Sequence, residues 1–239
     1  MANLRDIRNR IESVKNTKQI TKAMKMVAAA KLRRAQDRII ETRPYASKMQ
    51  EIVGRLVNNA SDEHVLLRKP SSTEKVLFVI ISSDRGLCGG FNGNLFKVVE
   101  QKIEDEYSRY RKDGNLSLIC LGRKAVNHFA NRNYNIKAKF PNFFDDIQFA
   151  KANGIMGDLI SEFVSGEYDE INLAYNEFKT VIAQNRVVEP LLPINPDSLI
   201  GEEDTGEENN EYIFEPGIDE ILEKLLPSHL NLQLWKAIL

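Results

Sequence analysis

The chain has 239 residues, 42% hydrophobic and 28% charged, a composition that fits one ordered domain with an extension and excludes a disordered polyelectrolyte. Its formal net charge is −1, and its two cysteines and three histidines lack metal-ligand spacing, which excludes a disulfide framework and a zinc site. No run approaches the ~18 apolar residues of a membrane span, and Met1–Arg5 lacks the apolar core of a secretory signal, so a cytoplasmic location is the default expectation.

From Leu4 to Arg43 there is no Gly or Pro, Lys and Arg greatly outnumber Asp and Glu, and strong helix formers dominate. This predicts one long, exposed, basic helix of roughly 60 Å, at about 1.5 Å per residue, which must meet a partner outside its own domain. Leu4, Ile7, Ile11 and Val14 follow the spacing of a coiled-coil seam, as do Ala28, Leu32, Ala35 and Ile39. Carrying that register through the middle lands on Lys18, Thr21 and Lys25, while Ile20, Ala23, Met24 and Val27 lie on a shifted face. An apolar stripe that wanders in this way belongs to an asymmetric shaft. Pro44 is expected to kink or end the helix, with 45–59 as its continuation.

Residues 61–73 read as a connection, and 75–81 as a strand buried on both faces. The Gly-rich turn 82–92 has neither G-x-x-x-x-G-K-[ST] nor G-x-G-x-x-G spacing, so it reads as a tight crossover with glycines at positive φ rather than a phosphate cradle. A helix over 94–111, a strand over 116–121, a helix over 123–131, an extended piece over 136–140, a helix over 146–165 begun by Asp145 and Asp146, and a strand over 170–178 follow. This alternation predicts an α/β fold, a Rossmann-like, mainly parallel sheet with flanking helices. Further strand material is expected over 179–184 and 187–194, the second an edge because of Pro190 and Pro193. An acidic loop spans 197–211, and an amphipathic helix, broken or bent near Pro227, runs from 217 to 239. The domains so defined are 1–60, 61–216 and 217–239.

Cys88 and Cys120 read as free, mostly buried thiols. His64, His128 and His229 are scattered, and no nucleophile, base and orienter can be grouped, so nothing argues for an enzyme. The charges are divided along the chain. Its first forty residues are basic, whereas 197–223 carries Glu202, Glu203, Asp204, Glu207, Glu208, Glu211 and further acids without one Lys or Arg. The basic helix is open to three readings: phosphate contacts on nucleic acid, an acidic and greasy protein surface, or the solvated face of a coiled-coil adaptor.

Ile11-x-Ser13-Val14-x-Asn16-Thr17-x-x-Ile20-Thr21-Lys22-Ala23-Met24-x-Met26-Val27-Ala28, then Arg43-Pro44-Tyr45, Ser83-Asp84-Arg85-Gly86-Leu87-Cys88-Gly89-Gly90-Phe91-Asn92 and Tyr175-Asn176-x-Phe178 resemble the gamma subunits of F-type ATP synthases across the whole chain. The resemblance implies a non-catalytic central rotor stalk, with no cofactor or small-molecule ligand of its own, whose N- and C-terminal helices form an antiparallel coiled coil. It implies one copy per complex, inside a ring of alpha and beta subunits, with the foot bound to the epsilon subunit and the membrane c-ring. The implied location is the cytoplasmic side of a bacterial inner membrane, peripherally. Lys22, Met24, Lys25, Lys31, Arg33 and Arg34 are the implied contacts with the beta subunits, and Tyr212 and Glu215 the weaker ones with the c-ring or epsilon. Family members continue past 232–239, so the chain is expected to lack the end of its C-terminal helix, leaving Ile7, Ile11 and Val14 without a seam partner and that end of the first helix prone to fraying. Nucleic-acid binding and a nucleotide-dependent α/β enzyme stand as competing classes.

Overall fold

Two strands with every residue buried, β1 (Val76–Ile81) and β2 (Leu116–Leu121), form the middle of a five-stranded sheet. The computed structural model describes residues 3–58, 64–68, 70, 72–180, 183–196, 199 and 217–239. In chain order these residues form α1 (Leu4–Asn58), β1, α2 (Phe91–Glu106), α3 (Ser108–Lys112), β2, α4 (Arg123–Ala130), β3 (Ile136–Phe140), α5 (Phe149–Val164), β4 (Glu170–Phe178), β5 (Gln184–Leu192) and α6 (Ile218–Ile238). The strand order is β3-β2-β1-β4-β5. Four strands are parallel, in registers such as Phe78 opposite Leu118 and Asn172, and β5 returns antiparallel along β4 as the edge.

Because side chains alternate along a strand, β1 feeds two cores. Leu77, Val79 and Ile81 pack in a cluster with the inner stripe of α5 (Ala152, Ile155, Met156, Leu159, Phe163), with α6, and with Met49, Val53, Leu56 and Val57 near the end of α1. Val76, Phe78 and Ile80 pack with Leu95, Phe96, Val99 and Ile103 of α2 and with Ala125 and Phe129 of α4. Strands covered on both faces need continuous apolar runs, which is why β1 is unbroken in the sequence; β2 admits one polar residue, Ser117, whose Oγ accepts from Asn135 Nδ2 at 3.0 Å.

The chain divides into two compact units, Met1–Tyr45 with Leu239, and Ala46–Ile238. The second, grouped by packing, takes in the last turns of α1 and all of α6 beside the sheet. Pro44 lies inside α1 and does not end it, although it brings no N–H to the carbonyl four residues back; two residues earlier, the Thr42 hydroxyl donates to the Arg38 carbonyl at 2.7 Å.

Several boundaries differ from those expected. The helix after the Gly-rich turn breaks at Tyr107, so α2 and α3 are separate. Asp145 closes a short 3₁₀ turn (Phe143–Asp145), and α5 starts only at Phe149, because the Asp84 carboxylate binds the Asn142 and Phe144 amides and holds that stretch out of the helix. Lys179 and Thr180 belong to the β4–β5 turn, where Thr180 N–H donates to the Ala183 carbonyl and the Thr180 hydroxyl accepts from Ala183 N–H; the strand begins at Gln184. The last helix, expected to be amphipathic and broken or bent near Pro227, runs unbroken through Pro227 and is buried on more than one face, with Leu222, Leu226, His229, Leu230, Leu232 and Leu234 all inside. The acidic segment from Glu202 to Glu211 lies outside the described residues.

Two sites give measurable consequences. Gly122 links β2 to α4 at φ 95°, and a Cβ there would stand 2.1 Å from the Ser82 carbonyl oxygen. Gly122→Ala therefore costs on the order of 3 kcal/mol, from a strained backbone added to a backbone clash, and lowers the urea midpoint of the chain without changing its m-value. His229 is buried, its Nε2 has no hydrogen-bond partner among the described residues, and burial pushes its pKa down to about 4. The unfolded chain binds this proton below ~6.5, whereas the folded chain does not until about 4. The associated stability is intact above pH ~6.5 and falls, by on the order of 3 kcal/mol, as pH drops toward 4. Comparing urea midpoints of the native chain and His229→Leu between pH 7 and 4 should show a markedly flatter dependence in the variant.

Candidate functional site

α1 is continuous from Leu4, so helical geometry fixes where its side chains point. At about 100° per residue, Leu4, Ile7, Ile11 and Val14 fall within roughly 80° of one another. Lys22, Lys25 and Arg33 fall on that same side, so the line that starts apolar turns basic higher in the sequence. Ile20, Met24 and Val27 lie on nearly the opposite side, about 140–200° from Lys22. Lys31 shares the side of Met24, and Arg34 lies within about 20° of Val27 on that same side. The helix thus brings Lys22, Lys25 and Arg33 together, pairs Met24 with Lys31, and does not gather all six residues on one face.

All six are exposed, as are Leu4, Ile7, Ile11, Val14, Ile20, Met26 and Val27. Among the described residues, Lys22, Lys25, Lys31, Arg33 and Arg34 have no ion-pair partner. An unpaired basic line with exposed methionine and aliphatic groups on its far side is a surface for something both acidic and apolar. Tyr212 and Glu215 lie outside the described residues.

The second exposed feature was read in the sequence only as a crossover. Between β1 and α2 the chain makes the turn Ser82–Gly90, held by polar side chains. Ser82 Oγ accepts from the Ala125 amide at 2.8 Å, the Asn92 carboxamide accepts from the Ser83 amide at 3.0 Å, and Asn92 Nδ2 donates to Ser83 Oγ at 2.8 Å. Ser83 Oγ in turn donates to the Arg85 carbonyl at 2.7 Å. The Asp84 carboxylate is buried and accepts three backbone amides: Arg123 at 2.8 Å, Asn142 at 2.7 Å and Phe144 at 2.8 Å. It ties the segments after β1, β2 and β3 into one unit.

From that base the loop projects outward. Leu87 is 108% exposed with φ 63°, a conformation unusual for a branched-chain residue, and the Arg85 side chain is 83% exposed, its guanidinium 3.7 Å from Asp145. Of the glycines, Gly89 has positive φ, while Gly86 and Gly90 do not. Cys88, expected to be buried, is exposed, since it sits on this projecting loop with Sγ accepting from Asn92 Nδ2 at 3.2 Å. Cys120 is buried as expected, near the C-terminal end of β2, where burial raises its pKa to about 12 and suppresses thiolate reactivity. No signal in the sequence announces the Asp84 clamp, because its partners lie far along the chain. Among the described residues, no group of three or more His, Cys, Asp or Glu could hold a metal.

The family model described as ATP synthase matches residues 3–239. The ATP synthase gamma chain of Chlorobaculum tepidum is 43% identical over 240 residues, covering all of this chain and 81% of that protein. That of Salinibacter ruber is 42% identical over 250 residues, again with all of this chain and 81% of the relative covered. In structure the chain resembles a subunit in the central stalk and c-ring of the Tetrahymena thermophila mitochondrial ATP synthase, with a TM-score of 0.63, 23% identity, and 92% and 91% of the two chains covered. A chain of the Euglena gracilis mitochondrial rotor gives a TM-score of 0.57 at 18% identity, covering 97% and 82%. These two likenesses concern the fold. On the identity and coverage of its bacterial relatives, the chain belongs to the ATP synthase gamma chain family, a non-catalytic component of that enzyme complex.

Proposed function

We propose that this chain is the central rotor shaft of an F-type ATP synthase, coupling ion flow through a membrane c-ring to ATP synthesis in a ring of alpha and beta subunits. The observation that carries the reading is the change of character along one side of α1, from an apolar line through Leu4–Val14 to a basic one through Lys22 and Lys25 with Met24 opposite. A shaft with unlike sides presents a different surface to each neighbour at a given angle, so turning it changes which neighbour is stabilised in which conformation. Shaft angle and nucleotide affinity then share a coupling free energy, at about 1.4 kcal/mol for each tenfold difference in affinity between neighbouring sites.

In this reading Lys22, Lys25 and Arg33 meet acidic side chains of the beta subunits, while Met24 and Lys31 face a different neighbour at the same moment. The Arg85–Gly89 loop, with exposed Leu87, is a further contact toward the same partners. The epsilon subunit and the c-ring bind the α/β unit, with Tyr212 and Glu215 proposed for that contact. One copy per complex sits peripherally on the cytoplasmic side of a bacterial inner membrane. No described helix is long and apolar enough to cross a membrane, in keeping with attachment through partners.

Native mass spectrometry of the chain mixed with alpha and beta subunits of the same source tests the reading. One copy bound to a ring of three alpha and three beta subunits, with altered ATP hydrolysis, is expected; binding to nucleic acid with a steep salt dependence and none to the ring would replace it. Within the assembled complex, Lys22→Glu with Lys25→Glu should lower ATP-driven turnover about tenfold at low salt, and less at high salt. The thermal midpoint of the isolated variant should stay near that of the native chain, because both residues are exposed. Unchanged turnover at low salt would remove the pair from the contact surface.

A further inference from the structure

Leu87 stands fully exposed at positive φ, on a loop that contains three glycines within six residues, Gly86, Gly89 and Gly90. A loop so rich in glycine samples many conformations when free, and one that must present a single shape to a partner has to be held from below. The holding group is adjacent in sequence. Asp84 is a buried carboxylate that forms no side-chain ion pair among the described residues and accepts the amides of Arg123, Asn142 and Phe144. None of those amides lies in a strand, so the carboxylate adds nothing to the sheet ladder. It joins the ends of three separate crossovers and fixes the point from which Arg85 departs.

The neighbouring bonds act in the same direction. Ser83 Oγ holds the Arg85 carbonyl, Asn92 holds Ser83 from both sides of its carboxamide, and the Phe91 amide closes on the Cys88 carbonyl at 3.2 Å. Both ends of the loop are therefore fixed, and the exposed side chains between them are those of Arg85, Leu87 and Cys88.

We propose that Asp84 is the positioning residue of the Arg85–Gly89 loop, using its three amide bonds to hold Leu87 and Arg85 in the one conformation that a protein partner recognises. The proposal rests on the reading that this loop meets the alpha and beta subunits. Asp84 itself touches no partner; it acts by removing the conformational freedom that the glycines would otherwise restore on dissociation.

The test is a double-mutant cycle in the assembled complex, read as the affinity of the alpha and beta ring for the full chain well below the thermal midpoint of every variant. Leu87→Ala should weaken association about tenfold, and Asp84→Asn, which replaces one of the two acceptor oxygens by an NH2 donor facing at least one of the N–H groups, should weaken it to a similar extent. The double variant should be no weaker than the worse single one. No effect of Leu87→Ala and Arg85→Ala overturns the contact reading, and the proposal with it. An effect of Leu87→Ala to which Asp84→Asn adds independently, or an Asp84→Asn that lowers only the thermal midpoint, overturns the positioning role and leaves the contact standing. Should Asp84→Asn fail to fold, amide exchange in the native complex decides: slow, matched exchange at Arg123, Asn142 and Phe144 is expected, and fast exchange at any of them overturns the proposal.

Discussion

The exposure of α1 is the constraint on which the rest depends. An isolated helix gains little from its own hydrogen bonds, and a helix in a folded protein is stabilised chiefly by burying one face. Leu4, Ile7, Ile11, Val14, Ile20, Met24, Met26 and Val27 bury little surface against the described residues, so the free energy that would favour their order has to come from contacts beyond those residues. The same residues that make α1 a poor independent element make it a good element of an assembly.

The α/β unit solves a different problem. Its sheet is covered on both faces, and the β1 side chains divide by alternation between a core shared with α5 and α6 and one shared with α2 and α4. Helical geometry puts Met49, Val53 and Leu56 on one stripe of α1, and these are buried in the first of those cores. Gly54, beside them, lets that part of the helix come close to the Leu199 carbonyl, which a Cβ would meet at 2.9 Å. One helix thus carries two patterns, a strict stripe where its own chain covers it and a wandering one where it does not.

How much of this is legible in the sequence follows from the range of the interactions. The unbroken run at 76–81 announces a doubly covered strand, and prolines at 190 and 193 announce an edge, because each is a local property of the backbone. The break of α2 at Tyr107 and the late start of α5 are not legible: Tyr107 is drawn to Glu170, and the segment before α5 to Asp84, both across long sequence separations. The exposure of Cys88 escaped for a related reason, since an apolar and Gly-rich neighbourhood describes a buried turn as well as a projecting loop. On α1 the seam, its interruption and the basic residues could all be read, but which of Lys22, Met24, Lys25, Lys31, Arg33 and Arg34 share a side emerges only when each is placed on the helix. Tyr212 and Glu215 had no periodic pattern to place them.

Pro44 has a mechanical consequence. A helix resists bending and twisting through its ladder of backbone hydrogen bonds, and at Pro44 one rung has no donor, while two residues earlier the Thr42 hydroxyl leans on the carbonyl of Arg38. Stiffness along α1 is accordingly uneven, lowest over the turn from Arg38 to Pro44. A load applied to one end would be stored mostly there, as in a spring with one thin coil, and returned from there when the load is released.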